Sequence, residues 1–456
     1  MREYPVLRQA IILFCDLIIW LFGYYSAIVV LAHFKAINAG YFENTASNIP
    51  VLVLAATVIV LENGLLNLKR MNSSQMVISI IISVLEVLLV MATVSYFLHE
   101  NASRKVFVLA AVFQAIGFIV WKIFLQRLEH TSLRSKRVLL MGTFEESRHI
   151  SARLSAEYFR HYNLIYLRET ELTADVRKKI AEMDLVILTE GISPARKEKL
   201  LHHAYAQGVE VVIVPSFHEI LCLDANFDRF EDVPIFRLRK MRPTEETMFV
   251  KRCLDLVLSL PALFFLLPVM TLVVIAIKLE SVGPVIYTQT RVGEGGKPFL
   301  IYKFRSMYCD AEKHTGPVLA ICSDPRVTRI GRFLRATRLD ELPQLVNVVL
   351  GQMSLVGPRP ERPVFVDQFN RTIPAFQYRH SVKPGITGLA QVYGRYNTDV
   401  RDKLVYDLLY IQKCSLVMDL DILFRTVKIL FIKESTEGVA QQPQLIEINA
   451  SKGESI

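Results

Sequence analysis

Apolar residues are concentrated in four long runs near the start of the chain, roughly 10–32, 48–66, 76–98 and 105–125. Each is close to the about 20 residues that a helix needs to cross a bilayer. The pattern predicts an α-helical membrane unit of four helices over residues 1–130. The first run begins too deep in the chain, and lacks a small-residue cleavage site, to read as a signal peptide. Arg2 and Arg8 precede the first run, and Lys69 and Arg70 separate the second from the third. Lys122, Arg127, Arg134, Lys136 and Arg137 follow the fourth. The positive-inside tendency then puts both ends of the unit in the cytoplasm, although Arg104 and Lys105 weaken the contrast. Asp16 and Glu86 lie inside apolar runs, where an ionisable group is costly unless paired. An interhelical hydrogen bond is the simpler expectation for them, and a lipid or substrate path is the alternative.

From Arg137 the pattern changes. Val138–Gly142, Leu164–Tyr166, Leu185–Leu188 and Val211–Val214 are short buried-strand patterns separated by helical stretches, the first of them over about 145–158. Strands alternating with helices predict a small Rossmann-like parallel α/β domain over 137–235. Its first turn, Gly142-Thr143-Phe144-Glu145-Glu146-Ser147, lacks the G-x-G-x-x-G fingerprint that lets backbone approach a pyrophosphate. Regulation or assembly is therefore expected of it before nucleotide binding, and it supplies no site residues.

A further apolar run, Leu256 to Ile277, follows Lys251-Arg252 and ends at Lys278. Pro268 lies within it, where a missing N–H and the ring bulk kink a helix. Basic residues flank both sides, with Arg291, Lys297, Lys303 and Arg305 beyond Lys278. A helix over 251–278 that enters, breaks at Pro268 and returns satisfies both observations; a fifth span with an external C-terminal domain is the alternative. Residues 433–456 are polar and read as a tail with little fixed structure.

Composition narrows the class. With 52% hydrophobic residues over 456 positions and a mean hydropathy of +0.32, the chain is too apolar for an ordinary soluble enzyme. Its formal charge of +9 suits anionic lipid or phosphorylated substrates. No RNA- or DNA-binding motif accompanies that charge, so no nucleic-acid partner is expected. The six cysteines are scattered without C-x-x-C or metal-ligand spacing, as befits reduced thiols facing the cytoplasm.

The candidate chemistry lies in Arg338-Leu339-Asp340-Glu341-Leu342-Pro343-Gln344-Leu345 and Gly357-Pro358-Arg359-Pro360-Glu361-Arg362-Pro363. A carboxylate among cations stays ionised and can act as a nucleophile, and the same cations can hold a diphosphate. Arg359 and Arg362 sit in a stiff proline-rich segment that suits a fixed phosphate clamp. Lys303 and Arg305 flank Phe304 on a short strand and can point to one face. Surface charge or headgroup contact is the bland alternative for all four. Arg326, Arg329, Arg332, Arg335 and Arg338 recur every third residue and so wrap around a helix, which fits an interfacial helix with snorkelling arginines. Of these only Arg338, beside the dyad, is a site candidate. His314 and His380 could serve as acid or base, but a carboxylate attacking a diphosphate requires neither.

These motifs, together with Ser281-Val282-Gly283-Pro284, Arg291-Val292-Gly293, Lys303-Phe304-Arg305-Ser306-Met307 and Lys383-Pro384-Gly385-Ile386-Thr387-Gly388-Leu389-Ala390-Gln391, run in one order over 248–432. The series resembles the bacterial sugar transferase family, the monotopic polyprenyl-phosphate phosphoglycosyl transferases, and the upstream layout resembles its large form. The resemblance implies an α+β catalytic domain with a re-entrant membrane helix. It also implies transfer of hexose-1-phosphate from a UDP-sugar to undecaprenyl phosphate, with release of UMP, at the start of exopolysaccharide, capsule or O-antigen synthesis. It makes Asp340 the nucleophile of a covalent phosphosugar intermediate and Glu341 the holder of Mg²⁺. It makes Lys303, Arg305, Arg338, Arg359 and Arg362 the substrate-binding set. The family's Ser-Pro kink falls at Leu267-Pro268, so the proline is present and the serine is not. The implied location is the bacterial inner membrane, with the catalytic domain in the cytoplasm. Two other readings stand beside this one: an inactive membrane-tethered nucleotide-sensing regulator and a conventional glycosyltransferase. The hexose, N-acetylated or not, is left open, as is a homodimer through the N-terminal helices or the middle domain.

Overall fold

The computed structural model describes residues 5–34, 49–66, 73–97, 104–132, 136–154, 162–168, 174–238, 240–308, 326–394 and 399–430. His314, Cys309, Cys322 and the polar tail lie outside them. The chain divides into two compact units, residues 1–212 with 443–456 and residues 213–442. The second unit takes in 213–235, which the sequence pattern groups with the middle domain.

The first unit opens with α1 (Pro5–His33), α2 (Ile49–Glu62), α3 (Ser73–Phe97) and α4 (Arg104–Ser132). Among the described residues, four helical stretches are long and apolar enough to cross a membrane: Leu7–His33, Gln75–Phe97, Arg104–Leu128 and Glu245–Glu280. The second apolar run is different, because α2 has only 14 residues, about 21 Å of helix against a hydrocarbon core of about 30 Å. Trp20, Ile28, Leu52, Met76, Ile80 and Phe118 form the interior, with the Trp20 and Phe118 rings 5.1 Å apart.

Lys122 corrects the loop-charge reading. It is no loop residue but a fully buried member of α4, with its Nζ 2.7 Å from Asp16 Oδ2 and donating to Leu65 O at 3.0 Å. Trp121 Nε1 donates to the other Asp16 oxygen at 3.0 Å. Asp16 thus has a cation and an N–H donor, which offsets its removal from water. Glu86 accepts at 2.8 Å from Asn63 Nδ2, in the turn that follows α2, so the expected hydrogen bond is present but comes from a turn and not from a second helix.

The α/β part comprises β1 (Lys136–Gly142), α5 (Phe144–Leu154), β2 (Tyr162–Arg168), α6 (Ala174–Ala181), β3 (Leu185–Leu188), α7 (Pro194–Ala206) and β4 (Glu210–Ile213). The sheet order is β2-β1-β3-β4, with β1 parallel to both neighbours. The crevice between the ends of β1 and β3 is where such sheets receive ligands. Here Glu146, in the first turn of α5, fills it. Its Oε2 accepts from Thr189 Oγ1 at 2.6 Å and from Gly191 N at 3.2 Å. Burial raises the pKa of this carboxyl, but the hydrogen bonds from Thr189, Thr143 and Gly191 outweigh that and hold it below the usual range.

The second unit begins with α8 (Phe217–Cys222) and the hairpin β5 (Asn226–Phe230) and β6 (Val233–Arg237). α9 (Glu245–Glu280) stays helical through both Pro261 and Pro268, so the chain does not separate into two helices at Pro268. A proline removes one intrahelical hydrogen bond, and the turns on either side keep theirs. Both ends of α9 are rooted in this one unit. At its start Lys251 Nζ lies 2.6 Å from Asp419 Oδ2, and Asp255 Oδ1 accepts from Leu355 N at 2.9 Å. At its end Val273 and Ile277 pack with Phe304 and Leu334, and Glu280 accepts from Ile330 N. Between them Phe264, Phe265 and Leu272 are exposed.

Beyond α9 come the antiparallel pair β7 (Ile286–Val292) and β8 (Pro298–Phe304), then α10 (Arg329–Ala336), α11 (Gln344–Val349) and β9 (Ser354–Val356). α12 (Pro363–Thr372), β10 (Gly385–Thr387), α13 (Leu389–Tyr393), α14 (Val400–Gln412) and α15 (Leu416–Leu430) complete it. The short parallel pair β9–β10 brings Gly357 and Gly385 into backbone contact so close that a Cβ on Gly385 would collide with Gly357 N. α10 carries only Arg329, Arg332 and Arg335 of the five spaced arginines.

Lys122→Met should destabilise the N-terminal helices by about 3 kcal/mol, because it leaves Asp16 buried and unpaired. The double variant Asp16→Leu/Lys122→Met should recover most of that loss. Thermal unfolding of the purified protein in detergent checks both.

Candidate active site

The dyad is presented by a backbone feature that few residues adopt. α10 ends at Ala336, and Arg338 takes a left-handed conformation, φ 58° and ψ 13°. Among described non-glycine residues only Glu231 shares a positive φ. A side chain in this region costs on the order of 1 kcal/mol, so the surroundings must hold it. The reversal starts a 3₁₀ turn, Leu339–Glu341, that carries Asp340 and Glu341 inward, each 8% exposed.

The two carboxylates then meet different environments. Glu341 Oε1 lies 2.8 Å from Lys303 Nζ, on β8, and 2.8 Å from Arg359 Nη2, in the proline-rich loop. Burial raises the Glu341 pKa, but these two cations outweigh it and hold the carboxyl far below the usual range. Burial lowers the Lys303 pKa against the pull of Glu341. For Arg359 the Glu341 charge dominates and keeps the guanidinium protonated. Asp340 makes no hydrogen bond or ion pair among the described residues. Burial, then the neighbouring Glu341 charge, raises its pKa against the opposing fields of Lys303, Arg335 and Arg338. The nucleophile candidate is thus the less readily ionised member of the pair, contrary to a uniformly cation-stabilised dyad.

The loop bearing Arg359 is fixed carbonyl by carbonyl. Pro358 O accepts from Gly385 N at 2.9 Å, and Arg359 O from Arg379 Nη2 at 2.9 Å. Pro360 O accepts from Arg291 Nη1 at 3.0 Å and Glu361 O from Val292 N at 3.0 Å. The two flanking prolines fix their own φ as well.

Of the sequence candidates, Asp340, Glu341, Lys303 and Arg359 come together. Arg338 is exposed beside the dyad and makes no side-chain hydrogen bond or ion pair among the described residues. Arg362 lies half-buried just before α12. Arg305 goes elsewhere: β8 ends at Phe304, and the Arg305 guanidinium donates to Ser281 O at 2.8 Å and Val282 O at 3.1 Å, tying down the end of α9. His380 Nε2 is buried without a hydrogen bond, and burial followed by the Arg379 charge pushes its pKa down to about 4. Sequence reasoning gave no role to Arg379 or Asp407. Their partners lie tens of residues away, so no local pattern marks them.

No group of three or more His, Cys, Asp or Glu among the described residues could enclose a metal. Asp340 and the second oxygen of Glu341 nevertheless suit a hard ion that keeps its waters and takes further oxygens from a bound diphosphate. The residues therefore fit Mg²⁺ shared with substrate and do not form a metal cage of their own.

The bacterial sugar transferase profile matches residues 246–433. A UDP-glucose:undecaprenyl-phosphate glucose-1-phosphate transferase of Escherichia coli is 40% identical over 238 residues, 51% of each chain. An exopolysaccharide production protein of Rhizobium leguminosarum is 43% identical over 199 residues, 42% of this chain and 98% of the relative. A putative undecaprenyl-phosphate N-acetylgalactosaminyl 1-phosphate transferase of Bacillus subtilis is 55% identical over 136 residues, 30% of this chain and 75% of the relative. The chain belongs to the bacterial sugar transferase family. It spans about half the length of several curated relatives it matches. The dyad, Lys303 and the Arg359 loop all fall inside the family match.

The two carboxyls should have opposite effects on stability. Asp340 is harder to ionise in the folded chain than in the unfolded one, so it costs stability as pH rises past its ordinary value near 3.8. Glu341 is easier to ionise when folded, so its contribution is complete above about 4.5 and is lost as pH falls toward its depressed folded value. At pH 7, Asp340→Asn should raise the unfolding temperature. Glu341→Gln should lower stability by about 2 kcal/mol by stranding Lys303 and Arg359. Thermal scans across pH 4–8 separate the two, and a stabilised Glu341→Gln would contradict this account.

Proposed function

We propose that the chain transfers hexose-1-phosphate from a UDP-sugar to undecaprenyl phosphate, yielding undecaprenyl-diphosphate-sugar and UMP. The observation that carries this reading is the asymmetry of the dyad, with a buried, unpartnered Asp340 beside a Glu341 fixed by two cations. An Asp340 oxygen attacks the sugar-bearing phosphorus. The bond to the bridging oxygen breaks, and UMP leaves with that electron pair. A phosphate oxygen of the lipid then attacks the same phosphorus and returns Asp340 as a carboxylate. The raised pKa of Asp340 reflects a desolvated and therefore more basic carboxylate, which suits a nucleophile.

Lys303 and Arg359 hold Glu341 in place and lie where charge on the departing phosphate must be absorbed. Arg338, exposed beside the dyad, and Arg362, half-buried just before α12, are assigned to the donor diphosphate. Arg305 supports this set by fixing the end of α9. Mg²⁺ held at Glu341 together with the substrate would neutralise diphosphate charge. The names of the relatives, which specify undecaprenyl phosphate and in several cases UDP-sugars, support the substrate assignment.

The second element of the proposal is that α9 enters and leaves one face of the membrane. Its two ends are rooted in the same unit, while apolar side chains along its middle are exposed, as a lipid-immersed bend requires. Together with the basic flanks, this supports a catalytic unit on the cytoplasmic side of the inner membrane. There a soluble donor and a lipid acceptor can both reach the dyad.

Membranes supplied with UDP-hexose labelled at the β-phosphate and with undecaprenyl phosphate should label lipid and release UMP. Asp340→Asn should lower this by at least about 10⁴-fold and remove any covalent phosphosugar adduct. Release of UDP, or lipid labelling that survives the substitution, would sink the mechanism. The helix reading has its own check. Cys253 and a Val282→Cys substitution, with the other cysteines replaced by serine, should both react with an impermeant maleimide from the cytoplasmic face. A spanning helix would expose one on each side.

A further inference from the structure

Of the four consecutive carbonyls that fix the loop bearing Arg359, only that of Arg359 itself is held by a buried ion pair. Arg379 lies in the 3₁₀ turn Pro374–Ser381, and Asp407 lies on α14. Arg379 Nε donates to Asp407 Oδ2 at 3.0 Å, and Nη2 lies 2.7 Å from the same oxygen. That Nη2 also donates to Arg359 O at 2.9 Å. The side chains are 6% and 3% exposed, and the guanidinium carbon sits 4.8 Å from the centre of the Phe376 ring.

Folding alone gives little reason for this pair. Removing two charges from water is costly, and well-packed apolar side chains of similar volume often stabilise a core as well or better. What an apolar pair could not supply is the bond to the Arg359 carbonyl. Pro358 and Pro360 already restrict the backbone on either side, and a residue before proline is confined to extended conformations. The remaining freedom is the tilt of the peptide between Arg359 and Pro360, and Arg379 fixes that tilt. The side chain departing from the same Cα is the one that meets Glu341.

We infer that Arg379, oriented by Asp407, is a positioning residue for the reaction: it holds the Arg359 backbone so that the Arg359 guanidinium stays on Glu341. Arg379 touches no reacting atom, and this inference rests on the reaction proposed above. Asp407 fixes the planar guanidinium fork, which lysine cannot reproduce. Without the fork, Arg359 loses its register with Glu341.

The test is Arg379→Lys, which keeps a cation opposite Asp407 but lacks the fork, with Asp407→Asn as a second variant. In Arg379→Lys, kcat should fall about 10- to 100-fold while KM for the UDP-sugar changes less than about threefold. Asp407→Asn should lower kcat in the same direction, again with KM for the UDP-sugar little changed. A merely structural role would reduce the folded fraction and leave kcat per folded molecule and the Arg359–Glu341 contact unchanged. A crystal structure of Arg379→Lys gives a readout independent of turnover, and should show Arg359 beyond hydrogen-bond distance of Glu341. An unchanged kcat per folded molecule, or an Arg359–Glu341 contact still near 2.8 Å, overturns the inference. If the unsubstituted protein releases no UMP, the proposed reaction fails by itself, and the variant's structure still decides whether Arg379 positions Arg359.

Discussion

One carboxylate oxygen, Glu341 Oε1, receives two cations from parts of the chain distant in sequence: Lys303 from β8 and Arg359 from the proline-rich loop. This ion triad joins three separate parts of the second unit. A hairpin strand, a 3₁₀ turn and an irregular loop share no continuous hydrogen-bond ladder, so the triad is what registers them against one another. Glu341 and Lys303 are largely removed from water while the Arg359 side chain stays 39% exposed, and the gain is specificity of arrangement more than net stability. The supporting contacts follow the same logic. Asn347 receives Tyr302 N at 3.1 Å and donates to Leu300 O at 2.7 Å, fixing β8 against α11 next to the dyad turn. Arg252 donates to Val348 O and Val349 O at the end of α11, where Val348 O also accepts from Gly351 N.

The sequence was most legible where chemistry is contiguous. Asp340-Glu341 and the Arg359 loop are read from neighbouring residues, although the cations that meet Glu341 lie 18 and 38 positions from it. It was least legible where a long side chain chooses its partner across the fold. Lys303 and Arg305 look equivalent on alternation alone, yet the strand stops between them. One reaches Glu341 and the other the end of α9. Lys122 looks like a charge following a span because its partner, Asp16, is 106 positions away. Its four-carbon stem lets it remain inside an apolar helix bundle. Arg379 and Asp407 carry no local signal at all, since the atom that Arg379 holds is a backbone carbonyl.

Helix boundaries show the same division. The apolar runs located α1, α3 and α4, because hydrophobic length is a property of composition. α2 came out short because the chain turns at Asn63–Leu66, where Asn63 meets Glu86 and Leu65 O meets Lys122. Those side-chain contacts come from tertiary packing, which run length does not record. Pro268 was read as a break, whereas α9 remains helical across it. A proline sets a local geometric demand, and the surroundings decide whether it is met by a bend or by an end.

The left-handed Arg338 constrains how this site can drift in sequence. Its backbone conformation favours glycine or asparagine, whereas the place beside the dyad favours a guanidinium. A β-branched replacement would be penalised on conformation, and glycine would ease the backbone while discarding the charge. Any change at this one position therefore trades ease of folding against chemistry. Variation should accumulate on the exposed helical face before it, at positions such as Arg332 and Phe333, where neither demand applies.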